Sequence, residues 1–231
     1  EFLELPSGIP SKDTINRAFS AIDSEQFESC FIDWVNSIVD LSKGQIIAID
    51  GKTLRHSFEN ADPSTSLHLI SAWACENQLT LGQLAVDGKS NEITAIPKLI
   101  DQLDLEGHIV SIDAMGCQKK IARALYLAKA DYLLALKANH GTLHKRMEEF
   151  FSTPAHINHA KEQGRILTSA DVENKAHGRL ERRIVLATDS LGLIDKNERE
   201  SWLGLKSIVC VEAHREEVSS GKKSIQKRYY L

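Results

Sequence analysis

The sequence lacks paired cysteines and long apolar runs, and each absence excludes a class of protein. Its 231 residues contain four widely spaced cysteines, none in a CxxC pair: Cys30, Cys75, Cys117 and Cys210. This spacing argues against a disulfide framework or a structural zinc site and favours free thiols in a reducing cytoplasm. No apolar stretch approaches the ~20 residues that cross a bilayer, so we expect no association with a membrane.

The amino terminus lacks two further features. The opening stretch EFLELPSGIP is not a signal peptide, and the chain does not begin with Met. We therefore expect it to be part of a longer protein. The composition is that of an ordinary globular protein, 42% hydrophobic and 26% charged, and the length fits one large domain or one domain with an appendage.

Charge is unevenly distributed along the chain. Residues 1–113 hold seven Lys and Arg against eighteen Asp and Glu, a net charge of −11. Residues 114–231 hold twenty-one against fourteen, a net charge of +7. Because basic residues that meet phosphates release counterions, the second half predicts an acidic partner such as nucleic acid. A solvated surface is the alternative.

Periodicity predicts two helices followed by alternating strands and helices. We expect helices at 11–23, from 24 to about 42 (ended by Lys43 and Gly44), at 95–103, 117–129 and 141–151, and strands at 45–50, 66–75, 79–87, 109–113 and 131–137. Ser11 and Asp13 are candidate caps of the first helix, and Ser24 is the candidate cap of the second. Thr94 is expected to cap the third, which would put Pro97 in its first turn. Residues 152–231 contain four β-leaning stretches rich in Val, Ile, Lys and Arg.

Two of the apolar strands end in a carboxylate. The run Ile46–Ile49 leads to Asp50, and the run that begins at Ile109 leads to Asp113. A right-handed crossover lets these two strands lie parallel and adjacent, and open α/β sheets bind ligands beyond the carboxyl ends of such strands. We therefore expect Asp50 and Asp113 to face each other. The order of elements resembles that of an RNase H-like nuclease core.

Neighbouring carboxylates suit Mg²⁺ or Mn²⁺, which bind carboxylate oxygens while keeping waters and substrate phosphates in their shell. Two such ions can generate the attacking oxygen and stabilise the leaving oxygen of a phosphodiester. The alternative for each residue is a structural role. Asp50 would then start a turn before Gly51, and Asp113 would cap the helix that follows it.

Other motifs fail on a named residue. The stretch DGKT at 50–53 ends like a P-loop, but the first glycine of that loop would fall at Ile46. A phosphatase with an aspartyl nucleophile would need that nucleophile at position 48, which is Ala48. His140 and His144 lie four residues apart without an HExxH arrangement, so we expect packing or surface roles for them.

A basic cluster, KAHGRLERR, occupies residues 175–183. In a strand, Arg179 and Arg183 would share one face and Arg182 would point to the other. Gly178 would let the backbone come close to a ligand. We predict contact with phosphates, and a solvated strand is the alternative.

Blocks along nearly the whole chain resemble the H-repeat-associated insertion-sequence transposases, which belong to the DDE superfamily and have an RNase H-like core. These blocks include IPSKDTINRAF, IAIDGKTLRHS, GQLAVDGKSNEITAIPKLI, SIDAMGCQKKIA, DYLLALKANHGTLH, HGRLERR and the closing RYY. The resemblance implies metal-dependent cleavage at transposon ends and joining of the 3′-hydroxyl to target DNA. It aligns Asp50 and Asp113 with the first two catalytic acids, and it makes Arg179 and Glu181 candidates for positions near the site. Lys52 is a further candidate.

The resemblance also bears on the third acid. In the family this is a glutamate on a helix beyond the RYY block, and this sequence stops at Leu231. We therefore expect a catalytically incomplete chain. A minimal RNase H core would favour Glu148 or Glu149 as the third acid, but the family pattern argues against both.

These observations predict an α/β protein with an RNase H-like mixed sheet flanked by helices. We expect a helical amino-terminal segment (1–43), a catalytic core (44–151) and a basic β-rich insertion (152–231) that leads to the absent final core helix. The predicted function is that of a DDE transposase core, with DNA and Mg²⁺ or Mn²⁺ as partners and homo-oligomers allowed. Asp50 and Asp113 are the expected metal ligands, and the expected DNA contacts are Lys137, His177, Arg179, Arg182 and Arg183. The rival is an inactive remnant that only binds DNA or protein.

Overall fold

The computed structural model describes residues 8–38, 42–54, 66–86, 92–176 and 179–231. The chain forms two compact units, residues 1–40 and residues 41–231. The first unit has two helices, α1 (Lys12–Ser20) and α2 (Ser24–Ile38). None of the helices in the described part of the chain is long and apolar enough to cross a membrane.

Each helix of the first unit begins at a side-chain cap. Ser11 Oγ accepts the N–H of Thr14, so Ser11 caps α1 as predicted. The prediction that Ser24 caps α2 is wrong, because the carboxylate of Asp23 accepts the N–H of Gln26. Ser24 is already the first residue of the helix.

The described residues of the second unit form nine strands and five α-helices. Their order is β1 (Ile46–Thr53), β2 (His68–Ala74), β3 (Leu79–Val86), α3 (Glu92–Gln102), β4 (Ile109–Ile112), α4 (Lys119–Leu127), β5 (Asp131–Leu136), α5 (Gly141–Ser152), α6 (Pro154–Glu162), β6 (Ile166–Ala176), β7 (Arg179–Thr188), α7 (Lys196–Ser201), β8 (Ile208–Glu217) and β9 (Lys223–Tyr230).

All nine strands join one mixed sheet in the order β3-β2-β1-β4-β5-β9-β8-β7-β6. Strand β1 is antiparallel to β2 and parallel to β4, which is parallel to β5. The five strands from β3 to β5 therefore have the RNase H-like order, and the predicted fold class is confirmed. The remaining strands form an antiparallel extension, which joins the core where β9 pairs with β5.

The two faces of the sheet have different surroundings. One face carries the buried residues Ile49, Ile112, Leu134 and Tyr229, and α3 and α4 pack against strands of the core. We call this the helix face. Because successive residues of a strand alternate between faces, Asp50 lies on the opposite face, which we call the carboxylate face.

Three helices differ from the prediction made from the sequence. Helix α3 begins at Glu92, upstream of the predicted cap Thr94, so Pro97 lies inside the helix and not in its first turn. The start is displaced because Glu92 is buried against β2, where it pairs with His68. Helices α6 and α7 lie within the segment that was predicted to be mostly β. Both are short, and α6 begins at a proline.

Candidate metal and DNA site

Asp50 lies on β1 and Asp113 directly follows β4, the strand parallel to it. Ile49 of β1 pairs with Ile112 of β4, and each aspartate is the next residue along its chain. Adjacent strands lie ~4.8 Å apart, so this register brings the two backbones together at one edge of the sheet. Both aspartates are exposed. The parallel crossover predicted from the sequence is therefore present.

The alternative roles of the two aspartates fare differently. Strand β1 continues to Thr53, so Asp50 does not start a turn. Asp113 does have a structural role, because its Oδ1 accepts the N–H of Met115 at 3.0 Å. It stabilises the turn after β4 and does not cap α4, which begins at Lys119. A carboxylate offers about four lone-pair positions, so this bond leaves room for a cation.

The charges of these two residues fit a divalent cation. Within the described ranges, no Lys, Arg or His forms an ion pair with Asp50 or Asp113. Neighbouring carboxylates repel each other unless a positive charge lies between them, and hard oxygen ligands suit Mg²⁺ or Mn²⁺. The same ranges contain no group of three His, Cys, Asp or Glu residues placed to hold a metal ion. The two aspartates alone could supply only some of the ligands of such a cation.

The loop that carries Asp113 is held by the turn after β5. Asn139 Nδ2 donates to the carbonyl oxygen of Ala114 at 3.0 Å, and His140 Nε2 donates to that of Cys117 at 2.7 Å. The His140 ring also meets Trp202 edge-on, with the ring centroids 5.2 Å apart. The packing role expected for His140 is confirmed. Asn139 could not be singled out from the sequence, because an asparagine in a turn carries no distinctive pattern.

Glu148 and Glu149 lie on α5, whose packing places it on the helix face. His144 and Phe151 of this helix contact Tyr229, with ring centroids 5.1 and 6.0 Å apart. Tyr229 pairs with Leu136 of β5 on the helix face. Helix α5 is therefore on the opposite side of the sheet from Asp50. This position, like the family pattern, argues against either glutamate as a third ligand.

The predicted basic residues lie on different faces of the sheet. Following the strand register from β1 to β7 places Lys52, Arg179 and Arg183 on the carboxylate face and Arg182 on the helix face. The shared face of Arg179 and Arg183 was predicted. Lys137 is exposed and directly follows β5, at the same sheet edge as Asp113. His177 lies outside the described residues.

Ion pairs partly neutralise Arg182 and Arg183 of β7. Arg182 Nε donates to Asp171 Oδ1 at 2.8 Å, and this hydrogen bond lowers the pKa of Asp171. Arg183 and Arg215 both donate to Glu181 Oε1, at 3.0 and 3.3 Å. Desolvation alone would raise the pKa of Glu181, but these hydrogen bonds lower it. Glu181 thus lies between two arginines.

Glu181 is distant from Asp50 along the sheet. Five inter-strand steps separate β7 from β1, which corresponds to about 24 Å at ~4.8 Å per step. Both residues lie on the carboxylate face, so any joint role requires a ligand that extends across several strands.

Two family models match the chain. The model described as a transposase DDE domain matches residues 41–215, and the model described as associated with it matches residues 1–35. The boundary between these matches coincides with the division of the chain into two compact units.

Several relatives share about two fifths of their aligned residues with this chain. An uncharacterised protein from the dhlA 3′ region of Xanthobacter autotrophicus is 41% identical, over 100% of this chain and 75% of its own length. YncI of Escherichia coli O157:H7, named as a candidate transposase, is 40% identical over 99% of this chain and 57% of its own length. The H repeat-associated candidate transposase YhhI of E. coli K12 is 38% identical over 100% and 60%. The chain thus spans less than two thirds of YncI and of YhhI.

Proposed function

The chain belongs to the transposase DDE domain family, and from this premise we propose that it forms the core of a DDE-type DNA transposase that cleaves transposon ends and transfers them to target DNA. Asp50 and Asp113 are the ligands of Mg²⁺ or Mn²⁺. The observation that carries this proposal is the parallel register of Ile49 with Ile112, which makes the two aspartates neighbours. When bound, such a cation activates the attacking oxygen and stabilises the leaving oxygen of the phosphodiester.

The proposal includes a third acidic ligand that follows the Arg228–Tyr230 block. Two findings are compatible with it: the described residues contain no group of three His, Cys, Asp or Glu that could hold a metal ion, and the relatives YncI and YhhI contain residues that this chain does not match. We expect residues 1–231 alone to bind metal weakly and to cleave DNA little or not at all.

DNA would lie along the carboxylate face in this proposal. Lys52 and Lys137 flank the two aspartates at the sheet edge, and Arg179 and Arg183 extend the same face onto the antiparallel strands. Exposed ion pairs contribute little to stability, so Arg183 can exchange Glu181 for a phosphate at small cost. Glu181 would orient Arg183 and Arg215 before DNA arrives. Arg182, on the helix face, would then bind Asp171 and not DNA.

The proposal is tested by nicking of transposon-end DNA in Mn²⁺ by the full-length parent protein. Asp50→Asn and Asp113→Ala should each abolish nicking while the protein still binds the DNA. Asp104→Asn is the matched control, because Asp104 is also exposed and also accepts a backbone N–H two residues ahead, that of Glu106.

Nicking that survives both Asp50→Asn and Asp113→Ala would refute the proposal. Full-length protein that binds DNA without nicking it in any divalent metal would favour the rival, an inactive remnant. Robust Mg²⁺-dependent cleavage by residues 1–231 would instead show that the third ligand lies inside this chain.

A further inference from the structure

A partly buried network of hydrogen bonds lies beneath the carboxyl-terminal half of β1, which includes Asp50. His68 of β2 and Glu92 of α3 are 2% and 4% exposed. His68 Nε2 donates to Glu92 Oε1 at 2.5 Å, and Nδ1 of the same ring is 2.9 Å from the hydroxyl oxygen of Thr53. This network therefore joins the strands β1 and β2 to the helix α3. Nothing in the proposed chemistry uses these groups.

The backbone at Gly51, next to Asp50, packs directly against the hydrogen-bonded side chains of Glu92 and His68. A Cβ added at Gly51 would lie 2.5 Å from Glu92 Oε1 and 3.0 Å from His68 Nε2. The contact is a matter of space, because Gly51 does not have a positive φ. Only a residue without a side chain lets β1 approach the carboxylate this closely. Gly51 directly follows Asp50. The packing of Gly51 on the helix face therefore helps to fix the backbone from which Asp50 extends on the carboxylate face.

Stability alone explains this arrangement poorly. A buried polar pair gives up the hydration of both partners, and well-packed apolar residues of similar volume often stabilise a protein as well or better. Such a pair does impose direction, because its hydrogen bonds are satisfied in only one arrangement of the three elements. Glu92 is also the first residue of α3, where the helix dipole favours a negative charge.

We propose that Glu92 and His68 are positioning residues for Asp50. By fixing the end of β1 to β2 and to α3, they hold Asp50 level with Asp113, so that one cation can contact both carboxylates. This inference rests on the proposed metal site. It assigns Glu92 no contact with metal or DNA, since Glu92 and Asp50 lie on opposite faces of the sheet.

The test compares Glu92→Ala, which removes the support, with Glu92→Gln, which keeps its length and its acceptor for His68. Two quantities are measured on folded protein, the Mn²⁺ affinity by electron paramagnetic resonance and the amide hydrogen exchange of residues 46–54 without metal. Glu92→Ala should weaken Mn²⁺ binding about tenfold or more, ~1.4 kcal/mol, and accelerate exchange. Glu92→Gln should retain a Mn²⁺ affinity within about threefold of that of the starting protein.

A mild core change in α4, Ile121→Val, is the control for general destabilisation, since Ile121 is fully buried in the core. It should lower the melting temperature and leave Mn²⁺ affinity unchanged. Should Glu92→Ala fail to fold, Gly51→Ala provides a second measurement, because its methyl group would push against Glu92. Gly141→Ala is its control, since a Cβ there has no atom within 4 Å.

The outcomes separate this inference from the proposed function. Mn²⁺ binding that depends on Asp50 but is unchanged in Glu92→Ala, or unchanged in Gly51→Ala, overturns the positioning role and leaves the metal site intact. The positioning role is also overturned if Glu92→Gln and Ile121→Val weaken Mn²⁺ binding as much as Glu92→Ala does. Mn²⁺ binding that is indifferent to Asp50→Asn overturns the metal site and the inference together.

Discussion

Burial decides the chemistry of single side chains, and the four thiols illustrate this at the residue scale. All four cysteines are free. Cys117 and Cys210 are buried, and the loss of hydration raises their pKa to about 12 and about 11. Cys30 and Cys75 are exposed. Because only the thiolate is a good nucleophile, burial and raised pKa act in the same direction.

We expect two thiols to react rapidly with a disulfide reagent near pH 8 and two to react only after denaturation. Raising the pH toward 10 should leave Cys117 and Cys210 slow, because both would remain mostly protonated below their raised pKa values. The measurement is a stopped-flow thiol count, repeated on Cys117→Ser and Cys75→Ser. Four rapidly reacting thiols in folded protein would contradict the packing of the core.

Some single residues could be identified from the sequence and others could not. Asp50 and Asp113 stand out, because a carboxylate at the end of an apolar strand interrupts a clear pattern. Glu92 and His68 do not, since a glutamate near a helix start and a histidine in a strand are each ordinary. Their significance comes from pairing across 24 residues of sequence, which no local pattern encodes.

At the scale of elements, the turn between β4 and α4 is fixed by close packing. Gly116 is buried in this turn, and a Cβ there would overlap the side chain of Ile112, which precedes Asp113. Asp113 Oδ1 and the N–H of Met115 add a hydrogen bond within the same turn. The position of Asp113 thus depends on the packing of Gly116 against Ile112 and on the hydrogen bond from the N–H of Met115.

Gly116→Ala should lower the free energy of unfolding by about 1–3 kcal/mol, because an added methyl group forces a well-packed core apart. Urea denaturation followed by circular dichroism measures this change. Gly141→Ala is the control, because its Cβ would meet no atom within 4 Å. We expect Gly141→Ala to leave stability unchanged or slightly raised. Equal effects from the two substitutions would contradict the packing around Gly116.

The elements of the core were predictable because each has a strong period. Residues 46–49 and 132–136 are continuous apolar runs, and the helices between them have apolar stripes. The start of α3 was missed because tertiary contacts of Glu92 override the cap signal of Thr94. The pairing of β9 with β5 could not be predicted, because it joins residues nearly 100 positions apart through only two register pairs.

At the scale of the whole molecule, the register of the strands decides on which face of the sheet each basic residue of the second half lies. The basic second half of the chain supplies the strands of the extension, and alternation along β7 assigns Arg183 to the carboxylate face and Arg182 to the helix face. The two arginines are adjacent in sequence and each has a carboxylate partner. They therefore form a matched pair for testing which face contacts DNA.

Arg183→Ala should weaken binding of transposon-end DNA and lower the slope of log affinity against log salt by about 0.9, the value for one phosphate contact. Arg182→Ala should change neither quantity. Fluorescence anisotropy over a salt series measures both. Equal losses from the two substitutions, or a loss confined to Arg182→Ala, would place DNA elsewhere.

The central claim is that Asp50 and Asp113 share one divalent cation, and a Mn²⁺ titration followed by electron paramagnetic resonance tests it most directly. Asn can keep the Asp113 turn bond to Met115 but loses the charge, so folding should survive in both single variants. We predict that Asp50→Asn, Asp113→Asn and the double variant lose the same binding event to the same extent, because ligands of one ion act as a unit, while Asp104→Asn retains it. Independent, additive losses, or Mn²⁺ binding that persists in the double variant, would contradict a shared site.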